Sequence, residues 1–199
     1  MNYATSYARS LQDPTGFWRH EAAQIHWFRD PPQILSQDEQ GFDRWFCGGT
    51  LNTAYLALDY HVEQGRGDQP ALIYDSPVTQ TKSVLSYREL RDQVAQLAGG
   101  LRQLGLNKGD TVVVYMPMIP ETVIAMLACA RLGAIHSVVF GGFAAHELAI
   151  RIDDARPKML LTASAGKEVD RVIDYQRLVN AALSESTHPP EICVVYQRD

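Results

Sequence analysis

Short apolar runs alternate with helix-spaced apolar positions along most of the chain. The mostly apolar runs are TVVVYM (111–116), IHSVVF (135–140), KMLLTA (158–163) and EICVVY (191–196). Runs of this length, rich in β-branched residues, are typical of strands buried on both faces. Between them, apolar residues recur at three- and four-residue steps, which predicts helices over 120–133, 144–155 and 174–186. This order of elements predicts an α/β fold, a doubly wound, mostly parallel sheet with helices on both faces.

Upstream of these strands the pattern predicts a helix, a β-hairpin and a capped helix. The segment 53–64 has helical spacing and ends at the turn sequence GRGD, while 71–75 and 83–86 are typical of two paired strands. Ser86 and Glu89 then form the S-x-x-E pattern of a capping box, in which each side chain satisfies a free backbone N–H of the other residue.

The first 50 or so residues have a different character. Trp18, Trp27 and Trp45 are all the tryptophans of the chain, and they lie among prolines and glycines. Aromatic residues between turn formers indicate an irregular, aromatic-rich segment that packs on a domain, because an exposed tail would be poorer in aromatics. The sequence therefore predicts an N-terminal segment over 1–55 packing on a core domain over 56–199.

Composition excludes several classes of protein. The formal charge is −5, from 18 Lys and Arg against 23 Asp and Glu, and no basic run suggests a nucleic-acid surface. Cys47, Cys129 and Cys193 are widely spaced and odd in number, which fits free thiols in a reducing compartment. The N-terminus lacks a signal-peptide pattern, and the apolar stretch before Arg131 is too short to span a bilayer. We expect a soluble, cytoplasmic protein without membrane or nucleic-acid partners.

Two adjacent glycines stand at a predicted strand end, where parallel sheets bind ligands. Gly141 and Gly142 do not complete the G-x-G-x-x-G pattern of a dinucleotide-binding loop. The Gly166-Lys167 pair is not a Walker loop either, because Glu168 stands where Ser or Thr would hold Mg²⁺. Spacing alone favours a tight turn with close helix–sheet packing. The residues by themselves reach an α/β domain with a candidate nucleotide-contacting loop.

The chain as a whole resembles the N-terminal third of the AMP-forming short-chain acyl-CoA synthetases, the acetyl- and propionyl-CoA synthetases of the adenylate-forming superfamily. The stretches that carry the resemblance are 45–62 (WFCGGTLNTAYLALDYHV), 65–90 (GRGDQPALIYDSPVTQTKSVLSYREL), 105–121 (GLNKGDTVVVYMPMIPE) and 130–152 (ARLGAIHSVVFGGFAAHELAIRI). Within them, IYDSPVT (73–79) is more similar to the propionyl-CoA type than to the acetyl-CoA type.

This resemblance implies a two-step ligase. A short-chain carboxylate, propionate before acetate, attacks the α-phosphate of ATP, and the thiol of coenzyme A then displaces AMP from the acyl-adenylate. The family's phosphate loop, its Mg²⁺ and its mobile lysine have no counterpart in this sequence. The resemblance therefore implies the N-terminal part of a longer enzyme, with no catalytic residue or metal ligand in this chain, and inactivity of the 199 residues alone.

The same resemblance implies part of a coenzyme A site. The strand-end FGG lies near the CoA adenine in the family, EVDR approaches the 3′-phosphoadenosine, and Ile173 packs near the base. The implied residues are Phe140, Gly141, Gly142, Glu168, Val169, Asp170, Arg171 and Ile173. Arg171 falls on an arginine of the family motif, whereas Glu168 replaces a second arginine of the acetyl-CoA type.

Three alternatives stay open from the sequence. The chain could be a stand-alone, non-catalytic CoA-binding or docking module. A dehydrogenase would require NAD(H) binding, which we do not expect. Arg171 could simply pair with Glu168 or Asp170 on the surface.

Overall fold

The computed structural model describes residues 2–198 and divides them into two units that meet between Asn52 and Thr53. Met1 and Asp199, the outer ends of the predicted domains, lie outside the described residues. That the N-terminal segment packs on the core stays a prediction.

The first unit is more regular than expected. Helices α1 (Tyr3–Gln12) and α2 (Pro14–Ala22) are followed by β1 (Gln33–Gln37) and β2 (Asp43–Cys47), which pair antiparallel. The expectation of an irregular segment is therefore wrong for these residues. The segment Ile25–Pro32 between α2 and β1 has no regular helix or strand.

Side-chain caps explain why the two short helices form in this proline-containing sequence. The side chain of Asn2 accepts the Thr5 N–H at 3.0 Å, and that of Asp13 accepts the Gly16 N–H at 2.9 Å. Each cap satisfies a backbone donor that the first turn of a helix leaves free. Asn2 and Asp13 are of the residue types that cap helices, so the sequence marks the start of each helix by a signal that does not depend on apolar periodicity.

The second unit opens with a helical segment over 53–66 in which Tyr55–Asp59 and Val62–Arg66 have π-type hydrogen bonding. The predicted helix over 53–64 is present, but its hydrogen bonds are wider than those of an α-helix. Gly65, at φ 78°, marks its end. Both carboxylate oxygens of Asp59 accept from the guanidinium of Arg131, at 2.8 to 3.3 Å.

The predicted hairpin and capped helix are confirmed. Strands β3 (Pro70–Ser76) and β4 (Thr81–Ser86) pair antiparallel and lead into α3 (Tyr87–Gln103). The Ser86 hydroxyl accepts the Glu89 N–H at 3.3 Å, while the Glu89 carboxylate accepts the Ser86 N–H at 2.8 Å. Both halves of the capping box are therefore formed. The Ser86 N–H and the Ser86 hydroxyl, which both donate to the Glu89 carboxylate, hold the pKa of Glu89 below its ordinary value.

The remaining elements follow in the order β5 (Thr111–Met116), α4 (Pro120–Leu132), β6 (Ile135–Phe140), α5 (Ala145–Ala155), β7 (Met159–Ala163), β8 (Ala165–Lys167), β9 (Val172–Asp174), α6 (Tyr175–Glu185) and β10 (Ile192–Tyr196). Strands β10, β7, β5 and β6 lie side by side in that order, and all their pairings are parallel. Strands β8 and β9 form a separate antiparallel hairpin that the sequence pattern did not predict.

The sheet is covered by helices on both faces, as predicted. Val112 and Val114 of β5 belong to a core cluster with residues of α3 and α4. Val113 and Tyr115 of the same strand belong to a second cluster with residues of α5 and α6. Alternate side chains of one strand thus serve two cores, which is the arrangement of a doubly wound α/β sheet.

No helix within 2–198 is long and apolar enough to cross a membrane. Localisation in the cytoplasm stays a prediction.

We expect Ser86→Ala to lower the free energy of unfolding by about 1 kcal/mol, because the first turn of α3 loses its side-chain acceptor. Urea denaturation measures this loss. Ser83→Ala, on the exposed part of β4, is the control and should change stability little. Equal midpoints for the two variants would show that the capping box contributes nothing to the folded state.

Candidate functional site

A groove lies beyond the carboxyl end of β6, between the loop that leaves this strand and the β8–β9 hairpin. Its volume is about 640 Å³. Of the residues implied by the sequence, it brings together Gly141, Gly142, Glu168, Arg171 and Ile173. The groove joins two stretches that are more than 20 residues apart in the chain, because the β6–α5 crossover and β7 return the chain to the same edge of the sheet.

The other implied residues lie around the groove and do not line it. Phe140 ends β6 with 67% of its surface exposed. Val169 is 83% exposed, and with Asp170 it forms the tip of the β8–β9 hairpin, beside a neighbouring depression that also includes Lys167.

Close packing within the protein excludes a side chain at Gly141, whereas Gly142 is crowded only by the exposed ring of Phe140. A Cβ atom at Gly141 would lie 2.9 Å from the carbonyl oxygen of Met116 and would collide with the Tyr175 hydroxyl. A Cβ atom at Gly142 would lie 2.6 Å from the ring of Phe140. The tight turn is confirmed, since the Phe143 N–H donates to the Phe140 carbonyl at 3.0 Å, and close packing is confirmed for Gly141. Both glycines also line the groove.

Two buried tyrosines donate hydrogen bonds to this loop from the hydrophobic core. The Tyr175 hydroxyl donates to the carbonyl of Gly141 at 2.6 Å, and the Tyr115 hydroxyl donates to the carbonyl of Phe143 at 2.7 Å. Their rings pack with centroids 4.9 Å apart. Burial raises the pKa of both phenols, that of Tyr175 to about 12. Both hydroxyls therefore keep their protons at neutral pH and remain donors.

Sequence reasoning missed these tyrosines. Tyr115 lies within an apolar strand pattern, and Tyr175 is the first residue of α6 after the capping Asp174. A buried tyrosine generally finds a partner for its hydroxyl, so a tyrosine inside a strand buried on both faces was the available signal. The sequence does not reveal which backbone group accepts the bond.

The opposite wall of the groove carries an ion pair. The Arg171 guanidinium donates to the Glu168 carboxylate, with 2.7 Å between Nε and Oε2, and the Glu168 N–H donates to the Arg171 carbonyl at 2.9 Å. The side chains are 71% and 49% exposed. The surface pairing that the sequence left open as the alternative to CoA binding is thus present, and Glu168 is the partner of Arg171. Because the pair is exposed, its net contribution to stability is small, and the guanidinium can exchange partners.

The groove therefore combines apolar surface with charges of both signs. Val172 and Ile173 line one side, and the guanidinium groups of Arg171 and Arg177 lie in the same lining as the carboxylates of Glu168 and Asp174. Apolar and aromatic surface suits a planar base, while a guanidinium offers forked donors to a phosphate. Within 2–198, no three His, Cys, Asp or Glu side chains converge to hold a metal ion.

Family models match nearly all of the chain. The model described as AMP-binding enzyme matches residues 58–199, and the one described as acetyl-coenzyme A synthetase N-terminus matches residues 3–57.

Relatives and a solved structure agree with these matches. An uncharacterized protein of Pseudomonas aeruginosa is 57% identical over 198 residues, which is 100% of this chain and 32% of that protein. The mitochondrial acyl-CoA synthetase short-chain family member 3 of Bos taurus is 50% identical, over 98% of this chain and 29% of the relative. The propionate–CoA ligase of Escherichia coli is 42% identical, over 100% and 31%. Acetoacetyl-CoA synthetase from Streptomyces lividans superposes with a TM-score of 0.85 at 27% identity, over 98% of this chain and 32% of that one.

The chain thus spans about a third of the length of the relatives it matches.

The phenol of Tyr175 should titrate well above the ordinary value of 10.0, at about pH 12. Since the folded state keeps this proton longer than the unfolded state, its contribution to stability is complete below pH 10.0 and is lost as the pH rises towards about 12. Spectrophotometric titration of the native protein and of Tyr175→Phe isolates this phenol by difference. A difference spectrum that is already complete near the ordinary value would contradict the burial of the hydroxyl.

Proposed function

The chain belongs to the AMP-binding enzyme family, and from that premise we propose that it is the N-terminal part of a ligase that joins a short-chain carboxylate to coenzyme A. One observation carries the proposal. A chain that is similar along its whole length to a propionate–CoA ligase has a groove in which the two implied CoA-contacting stretches meet. Within the whole enzyme, this part supplies one wall of the CoA site.

The proposed reaction has two steps. A carboxylate oxygen of the substrate forms a bond to the α-phosphorus of ATP, and pyrophosphate leaves. The sulfur of coenzyme A then bonds to the acyl carbon, loses its proton, and AMP leaves. Mg²⁺ neutralises phosphate charge in chemistry of this kind. The residues described here act in the second step, by binding the nucleotide end of CoA.

The two walls of the groove supply complementary contacts to that nucleotide. The side chain of Ile173 offers apolar surface for the adenine, next to the backbone of Gly141 and Gly142, and the exposed ring of Phe140 lies against Gly142 just outside the groove. Arg171 offers its guanidinium to the 3′-phosphate. Before CoA binds, the charge of Arg171 is neutralised by its ion pair with Glu168. When CoA binds, the guanidinium exchanges the Glu168 carboxylate for the phosphate.

We propose propionate as the preferred acyl substrate and acetate as the next. The support is the similarity of residues 73–79 to the propionyl-CoA type and the relation to propionate–CoA ligase. The residues that measure acyl length are expected in other parts of the enzyme.

The proposal is tested on the full-length protein that contains this chain. We expect ATP-dependent formation of AMP and an acyl-CoA thioester with propionate, with less from acetate and from butyrate. Absence of AMP release with all three acids would refute the ligase. Binding of CoA without any thioester formation would indicate the non-catalytic module instead.

Arg171→Ala should raise the KM for CoA about tenfold in the full-length enzyme, because a charge-assisted hydrogen bond to a solvent-open phosphate is lost. Carboxylate-dependent ATP–pyrophosphate exchange takes place without CoA and should not change. Steady-state kinetics with CoA varied, run beside the exchange assay, measure both quantities.

Glu168→Ala is the matched control, because it breaks the same ion pair from the other side. It removes a competing carboxylate, so the KM for CoA should stay the same or fall slightly. If both variants raise the KM alike, the ion pair acts by shaping the hairpin, and Arg171 does not bind the phosphate. If Arg171→Ala lowers exchange and thioester formation equally, the residue is structural.

A further inference from the structure

The loop that leaves β6 is held by hydroxyl groups that the core does not need for packing. Tyr115 and Tyr175 are 0% and 2% exposed, and their rings already fill the core cluster between the sheet and helices α5 and α6. Phenylalanine rings would fill nearly the same space. The hydroxyls instead reach past the core edge to the backbone carbonyls of Gly141 and Phe143.

Tyr175 contacts both walls of the groove. Besides bonding to Gly141, its ring lies against Gly166, where a Cβ atom would come within 2.6 Å of the ring. Gly166 is the middle residue of β8 and pairs with Ile173 of β9. One rigid side chain therefore sets the position of the glycine loop relative to the hairpin that carries Arg171.

The two hydrogen bonds fix carbonyl groups two residues apart, on either side of Gly142. A glycine pair without such anchors would lose more conformational entropy when it is ordered by a ligand. Anchoring the loop before the ligand arrives removes that cost from binding.

We infer that Tyr175 and Tyr115 are positioning residues, which hold the Gly141–Phe143 loop in the conformation that receives the nucleotide of CoA. This inference rests on the proposed function. The two tyrosines do not themselves touch the ligand. Their hydroxyl groups position the loop, whereas their rings fill the core.

Tyr175→Phe in the full-length protein removes the hydroxyl and keeps the ring. The dissociation constant of CoA and the KM for CoA should both rise roughly threefold to tenfold, the effect expected for one neutral hydrogen bond. The rate at saturating CoA and the ATP–pyrophosphate exchange should stay near wild-type values, because the loop is ordered once CoA is bound. Tyr115→Phe should change the same two constants in the same direction.

Tyr7→Phe is the control, since it removes a hydroxyl from an exposed ring on α1; it should leave the CoA constants unchanged. Calorimetric binding of CoA and a melting curve accompany the kinetics for every variant. Wild-type CoA constants in Tyr175→Phe would overturn the inference, and so would an equal fall of exchange and thioester formation. If the wild-type protein itself fails to bind CoA, the proposed function fails, and the inference fails with it.

Discussion

Everything in the second unit follows from the need to bury both faces of a short parallel sheet. Strand β5 is the clearest case, because all but its first residue are buried and alternate side chains enter opposite cores. Each neighbouring parallel strand must be reached by a crossover, and the crossover helices become the cover of the sheet. The same crossovers bring the loops after β6 and β7 to one edge. The candidate site is thus a by-product of how the hydrophobic core is closed.

The polar exceptions within that core are informative. The hydroxyl of Thr162, which is fully buried on β7, donates to the backbone carbonyl of Tyr115 at 2.7 Å. The phenol hydroxyl of the same tyrosine donates to the backbone carbonyl of Phe143. An unpaired polar atom at such positions would be costly, so each hydroxyl in this series must have a fixed acceptor. The series runs from the middle of the sheet to the groove. It links the geometry of the loop to the most rigid part of the fold.

Sequence patterns predict most of the helices and strands of the second unit and far fewer of those of the first. Periodic apolar residues, the Ser86–Glu89 capping box and the turn glycines are local signals, and the elements they predicted are confirmed. The helices α1 and α2 have few apolar residues to bury, so periodicity could not reveal them. The β8–β9 hairpin, with three residues in each strand, is too short for an alternating pattern. The strand-end position singles out Gly141 and Gly142, but the other residues of the site are implied only by a resemblance, and the sequence does not decide between Glu168 and Asp170 as the partner of Arg171.

The exposed Glu168–Arg171 pair has a consequence for ionic strength. An arginine without a partner would bind a phosphate strongly in dilute buffer and much less strongly as salt screens the attraction. In the proposed CoA site, screening would weaken the Arg171–Glu168 contact together with the contact to an incoming phosphate, so the two changes would partly cancel. A site built in this way would have a lower affinity at low salt than one with an unpaired arginine. Its affinity for a nucleotide phosphate would in turn change less with the electrolyte content of its surroundings.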